Sequence, residues 1–120
     1  MQKERIKELK EWAKNNLIGK EVIHPDFSEK ICFSSTGIKE YLNQPHKHFF
    51  AKNELLKEID EIIPKSKIVY DAEDMKGNPN NHYFYLETKI CENYSYIIIR
   101  LTKHNNKYTL YSMVDKIKNR

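Results

Sequence analysis

The strongest constraint in this sequence is a change of period near Pro64. Before it, apolar residues recur every three or four positions; after it, they alternate. Three alternating runs, 82–91, 94–103 and 107–114, are rich in aromatic and β-branched side chains and are separated by only a few polar residues. Connections that short join antiparallel neighbours, because a parallel partner needs a crossover of a dozen residues or more. The first half must then supply helices that cover one face of the sheet. The fold class that follows is α+β.

The helical half reads in three pieces. Residues 3–16 form a helix, with Ile6, Leu9, Ala13 and Leu17 on one stripe, Trp12 widening it, and Asn16 and Gly19 as the stop. A short strand or extended arm over 21–24 precedes Pro25, and 30–33 is a second extended piece. Ser34, Ser35 and Thr36 offer capping hydroxyls to a short helix over 37–43. After a break at 44–48, a longer helix over 49–63 carries Phe50, Leu55, Leu56, Ile59, Ile62 and Ile63 toward the core, and Pro64 closes it. Residues 68–70 form a strand, 71–81 a polar loop, and the charged tail over 115–120 is expected to fray.

Registering the last three strands needs only the turns. If Glu92-Asn93 and Asn105-Asn106 are two-residue turns, Phe84 faces Leu101 and Leu86 faces Ile99, on the side of Ile97 and Leu110. That side is apolar and should cover the helices, with Thr88, Ser95 and Ser112 as small polar exceptions. The other side collects Tyr83, Tyr85, Glu87, Ile98, Arg100, Thr102, Thr109 and Tyr111, with Arg100 between Tyr85 and Tyr111. A guanidinium held between phenol rings keeps its donors for a phosphate, and tyrosines stack on unpaired bases. The same row also suits a solvated face on which Arg and Tyr merely pack together.

Composition narrows the classes. The 120 residues fit one domain, 1–120. A net charge of +4 permits contact with nucleic acid without requiring it. Three glycines leave no glycine-rich nucleotide loop, and two isolated cysteines form no zinc pattern and should stay reduced. His46 and His48 alternate as ligands do, but no third stands at a matching spacing, so neither metal nor cofactor is expected. There is no apolar leader and no membrane-spanning run, which makes the cytoplasm the expected location.

The segment Phe33-Ser34-Ser35-Thr36-Gly37-Ile38-Lys39-Glu40 is followed by Pro45-His46-Lys47-His48-Phe49, then by Lys52 and Leu55-Leu56, His82-Tyr83-Phe84, the 94–102 strand and Tyr111-Ser112. In that order, over about 31–114, the chain resembles the phage-associated branch of the barnase–EndoU–colicin–RelE superfamily of ribonucleases. The resemblance implies N-terminal helices on one face of a four-stranded antiparallel sheet, with RNA bound across the other face. It also implies metal-independent cleavage, the 2′-hydroxyl attacking its own phosphate to leave a cyclic phosphate end. Members act as toxins or sit within large phage polyvalent proteins, so an antitoxin or immunity protein is a second expected partner.

That chemistry needs a base, an acid and a cation for the phosphorane. Arg100 is the candidate cation. His82, His46 and His48 are candidate acid–base groups, and Tyr111 is a proton donor or a stacking ring. Lys39 and Lys52 are candidate phosphate ligands, and Tyr83 and Tyr85 candidate stacking rings. Ser112 joins them by resemblance, although alternation puts it on the apolar side. Glu87 is a lone carboxylate on the polar side, a base or simply a partner for Arg100. The alternative to an enzyme is a catalytically silent RNA- or protein-binding module on the same scaffold.

Overall fold

A computed structural model describes residues 2–74 and 76–117, so the end of the tail lies outside the described residues. In chain order the elements are α1 (Gln2–Asn16), β1 (Glu21–Val22), β2 (Ile31–Cys32), α2 (Ser35–Asn43), α3 (Phe49–Glu54), α4 (Ile59–Ile62), β3 (Lys67–Glu73), β4 (Asn81–Ile90), β5 (Asn93–Thr102) and β6 (Lys107–Val114). The stripe on α1 does what its spacing requires: Leu9, Ala13 and Leu17 are fully buried, with Ile6 and Trp12 packed beside them. Ser34 caps α2, its Oγ accepting from the Gly37 amide at 3.0 Å. Gly37 then presses against β6 so closely that a Cβ there would lie 2.0 Å from the Leu110 carbonyl oxygen.

The helix expected over 49–63 is broken. It runs as α3, a 3₁₀ turn (Leu55–Glu58), α4 and a second 3₁₀ turn (Ile63–Lys65). The break centres on Glu58, whose backbone leaves the helical basin at φ −117° and ψ 6°. Leu56, Ile59 and Ile63 all reach the core at zero exposure, and the tightened turns are how one segment presents all three.

The sheet corrects a second expectation. It has six strands in the order β1-β2-β6-β5-β4-β3, and β2 runs parallel to β6 through Ile31↔Tyr108 and Cys32↔Thr109. The four long strands are antiparallel neighbours, but the two short extended pieces extend the sheet beyond β6, so it is mixed and not a four-stranded antiparallel one. Two residues carry too little periodicity to announce a place in the sheet. Burial of Ile31 and pairing with β6 fix them instead.

Both turns lie one residue from their expected places. Cys91 and Glu92 make the first, at φ 51° and 68°, so Ile90 pairs with Asn93, Phe84 with Ile99 and Leu86 with Ile97. The second tightens through a 3₁₀ turn (Lys103–Asn105) and a left-handed Asn106, pairing Thr102 with Lys107. Moving a turn by one residue shifts the partner by two, which preserves the face. Leu86, Ile97, Ile99 and Leu110 therefore do pack on the helices. Further along β6 a bulge intervenes: Ile99 pairs with Leu110 but Ile98 with Ser112, leaving Tyr111 as the extra residue. The free edge of β3 carries another irregularity at Val69, with exposed Lys67, Asp71 and Glu73 along it. Among the described residues no helix is long and apolar enough to cross a membrane.

Candidate functional site

Of the eight tyrosines, only Tyr41 and Tyr108 belong to the core beneath the helices. The register puts Tyr70, Tyr83, Tyr85, Tyr94 and Tyr96 on the opposite face with Arg100, and Tyr111 joins them from the bulge. Four of them, Tyr70, Tyr83, Tyr85 and Tyr111, border with Arg100 a groove of about 460 Å³, which Glu73, Asp74, Lys76 and Asn81 also line. The Arg100 guanidinium carbon sits 5.0 Å from the centre of the Tyr111 ring. Tyr111 in turn meets Tyr83 at 5.3 Å, and Tyr70 meets Tyr85 edge-on at 5.3 Å.

The sequence placed Arg100 between Tyr85 and Tyr111; its cross-strand partners are Tyr83 and Thr109. Tyr83 takes the flanking role, and Tyr85 moves one step along toward Tyr70. Arg100 Nε is buried without a hydrogen-bond partner, and among the described residues no carboxylate pairs with the guanidinium. An unsatisfied buried donor costs about 1–3 kcal/mol, more when charged. The rest of the guanidinium lines the groove, and its N–H groups there are the donors an outside acceptor meets.

The end of β3 and the residue after it lie two strands from Arg100. Asp74 Oδ1 accepts the Lys76 amide at 2.7 Å, while Oδ2 accepts Asn81 Nδ2 and the Tyr83 hydroxyl, each at 3.3 Å. These donors, the Lys76 amide foremost, hold the Asp74 carboxyl below its ordinary range. Burial, and then the Asp74 charge, push the Tyr83 phenol up. Burial does the same for Tyr85.

The histidines lie elsewhere. His82 sits on the helix side of the sheet, because its strand neighbour Tyr83 takes the groove side. Its ring is held between Asp71 Oδ1 at 2.8 Å and Glu73 Oε2 at 2.7 Å, edge-on to Phe84. Glu73 also accepts from Lys103 Nζ at 3.1 Å.

His46 and His48 fold back against the start of β5. His46 Nδ1 accepts the His48 amide at 2.8 Å, so its Nε2–H donates to Ser95 Oγ at 2.8 Å. That polarity is the reverse of what an activated serine needs, and Ser95 is fully buried. Burial lowers the His46 pKa. His48 Nε2 lies 2.6 Å from Asn93 Oδ1. Five residues of strand, about 17 Å, separate Ser95 from Arg100.

Lys52 is fully buried, its ammonium donating to the carbonyls of Tyr41 and Gln44 at 2.6 and 2.7 Å and lying over the Phe49 ring. It fastens the end of α2 and has no path to a phosphate. Lys39 is exposed on α2, whose buried residues join the core on the helix side. Ser112 leaves the apolar register because of the bulge; it pairs with Ile98 and its Oγ lies 3.4 Å from Gln44 Oε1.

Thus four predicted residues, Tyr83, Tyr85, Arg100 and Tyr111, converge on the groove, with Ser112 at its margin. His82, His46, His48, Lys39 and Lys52 do not. Sequence reasoning missed Tyr70 and Asp74. Tyr70 had a signal, since it alternates within a recognised strand, whereas Asp74 was one of several acidic positions in an aperiodic loop.

The class this defines is a small α+β domain with helices behind one side of its sheet and a tyrosine-lined, arginine-bearing groove on the other. The family described as large polyvalent protein-associated domain 3 matches residues 1–111, and the chain belongs to that family. Membership ties it to phage and mobile elements, as the resemblance implied, without reaching the nuclease superfamily. Neither curated proteins nor solved structures give a match.

Proposed function

We propose that this domain binds single-stranded RNA across the helix-free face of its sheet, Arg100 holding a phosphate while Tyr83, Tyr85 and Tyr111 stack on bases. The observation that carries this is the Arg100 guanidinium in the groove lining, over the Tyr111 ring and with no carboxylate partner among the described residues. A phosphate oxygen meets its groove-facing N–H groups with charge-assisted bonds, and rings of this kind accept any base face. The net charge of +4 supports the same reading.

Cleavage by 2′-hydroxyl attack is the narrower reading, and Asp74 on the groove wall is the observation in its favour. With the imidazoles elsewhere, Asp74 would be the base and Tyr83 the acid. A carboxylate held below its usual range is a weak base, and a phenol pushed up is a weak acid. Binding is therefore the better-supported activity.

The test is fluorescence polarisation with labelled single-stranded RNA in EDTA at low salt. Wild type should bind in a salt-dependent manner, and R100A should lose about tenfold or more in affinity with an unchanged melting temperature. Cyclic phosphate ends on the recovered RNA would establish the ribonuclease. No binding by wild type at low salt would overturn the reading.

A further inference from the structure

We propose that Asp74 makes this groove selective for ribose over deoxyribose, accepting a hydrogen bond from a 2′-hydroxyl while Arg100 holds the adjoining phosphate. This rests on the RNA-binding reading above and adds the sugar to it.

The groove lining carries both signs of charge. Arg100 on β5 offers donors with no partner, and two strands away the end of β3 and the residues after it bring Glu73, Asp74 and Lys76. A carboxylate repels phosphate and, when ionised, can only accept. The ligand must therefore present a donor on one side of its phosphate.

Two carboxylates are available and they are not equivalent. Glu73 is already engaged by His82 and by Lys103. Asp74 has one oxygen fixed by the Lys76 amide at 2.7 Å, which sets its orientation. Its other oxygen has only two contacts of 3.3 Å, at the long end of the hydrogen-bond range. That oxygen retains capacity for a shorter, stronger donor.

On a nucleotide the donor nearest the backbone phosphate is the 2′-hydroxyl, the group by which a protein tells RNA from DNA. Tyr83 links the two groups: its hydroxyl touches Asp74 and its ring meets Tyr111, over which Arg100 lies. A base stacked on these rings brings its own sugar to the Asp74 side.

The experiment uses uridylate oligomers of about eight nucleotides, a length within the range that sheet-based single-strand binders cover. One fluorescein-labelled sequence is made with ribose, with deoxyribose and with 2′-fluoro sugars, the last keeping an RNA-like sugar without a donor. Wild-type protein should bind the ribose form about tenfold more tightly than either other form. D74A should bind all three about equally, and Y83F should keep the preference. Because the three-sugar comparison on wild type needs no variant, it stands even if D74A folds poorly. Equal affinity for all three sugars, or a preference that survives in D74A, would overturn the proposal while leaving RNA binding intact. Failure to bind any oligomer sinks the RNA-binding reading itself.

Discussion

Replacing Gly37 with alanine sets two effects of known sign against each other. Inside a helix, alanine is favoured over glycine by about 1 kcal/mol. Here the added Cβ would stand 2.0 Å from the Leu110 carbonyl oxygen, 3.2 Å from its carbon and 3.2 Å from Ser34 Oγ. Restoring ordinary contact means separating α2 from β6 by more than about 1 Å, since non-bonded carbons rest at roughly 3.5–4.0 Å. The nearest atom is backbone within a central pairing, so it cannot swing aside as a side-chain tip would. Overpacking of this kind costs about 1–3 kcal/mol. Moving α2 also loosens Ile38, Tyr41 and Leu42, all buried along its inner side. The clash should win, with a net loss of about 1 kcal/mol. For 120 residues at an unfolding entropy of about 2.1 cal/mol/K each, that is a melting temperature lower by roughly 4 °C. Urea unfolding followed by tryptophan fluorescence would measure the free energy directly. If G37A is as stable as wild type or more so, the close approach of α2 to β6 is wrong.

The buried cation and the half-buried imidazole give two further expectations. K52M should lose about 2 kcal/mol or more in urea unfolding, because the Tyr41 and Gln44 carbonyls lose their donor. Burial pulls the Lys52 ammonium down to about 7, so between there and its ordinary value the unfolded chain carries a proton the folded one has lost. Stability should therefore rise as pH climbs above about 7, a slope that K52M should lack. His46 follows the same sign in a lower window: its pKa is lowered by burial, so its contribution is complete above the ordinary histidine range of about 6.5 and is lost as pH falls below it. Acid titration of unfolding should show a shallower loss in H46Q than in wild type.

The faces of the sheet were legible because a turn misplaced by one residue changes cross-strand partners in steps of two. Wrong neighbours on the correct side were the result: Arg100 was assigned Tyr85 in place of Tyr83, yet the helix-free surface was identified. A bulge is different, since it shifts one strand by a single residue and reverses everything beyond it. Nothing around Tyr111 advertises one, and so Ser112 was put on the wrong side. Cys91-Glu92 hid the first turn for a related reason, as neither residue favours the positive φ both adopt, whereas Asn93 next door does. The histidines failed for lack of any local signal. His46 meets Ser95 and His48 meets Asn93 across more than forty residues of chain, so no spacing could show that their nitrogens were engaged. Lys52 looked like a surface cation because burial of a charged group depends on acceptors that only the folded chain assembles.

The two margins of the sheet bear on how such a domain can live beside others. One margin ends in a strand of two residues, and the other is kinked at Val69 and studded with charge. Neither offers the long, flat, unpaired ladder onto which a foreign segment zips. A polypeptide strung with many modules holds each at high local concentration of the rest. Blunted borders would let a domain of this family keep its own hydrogen bonds in such company, and they leave the proposed RNA surface on the face of the sheet and not at its edges.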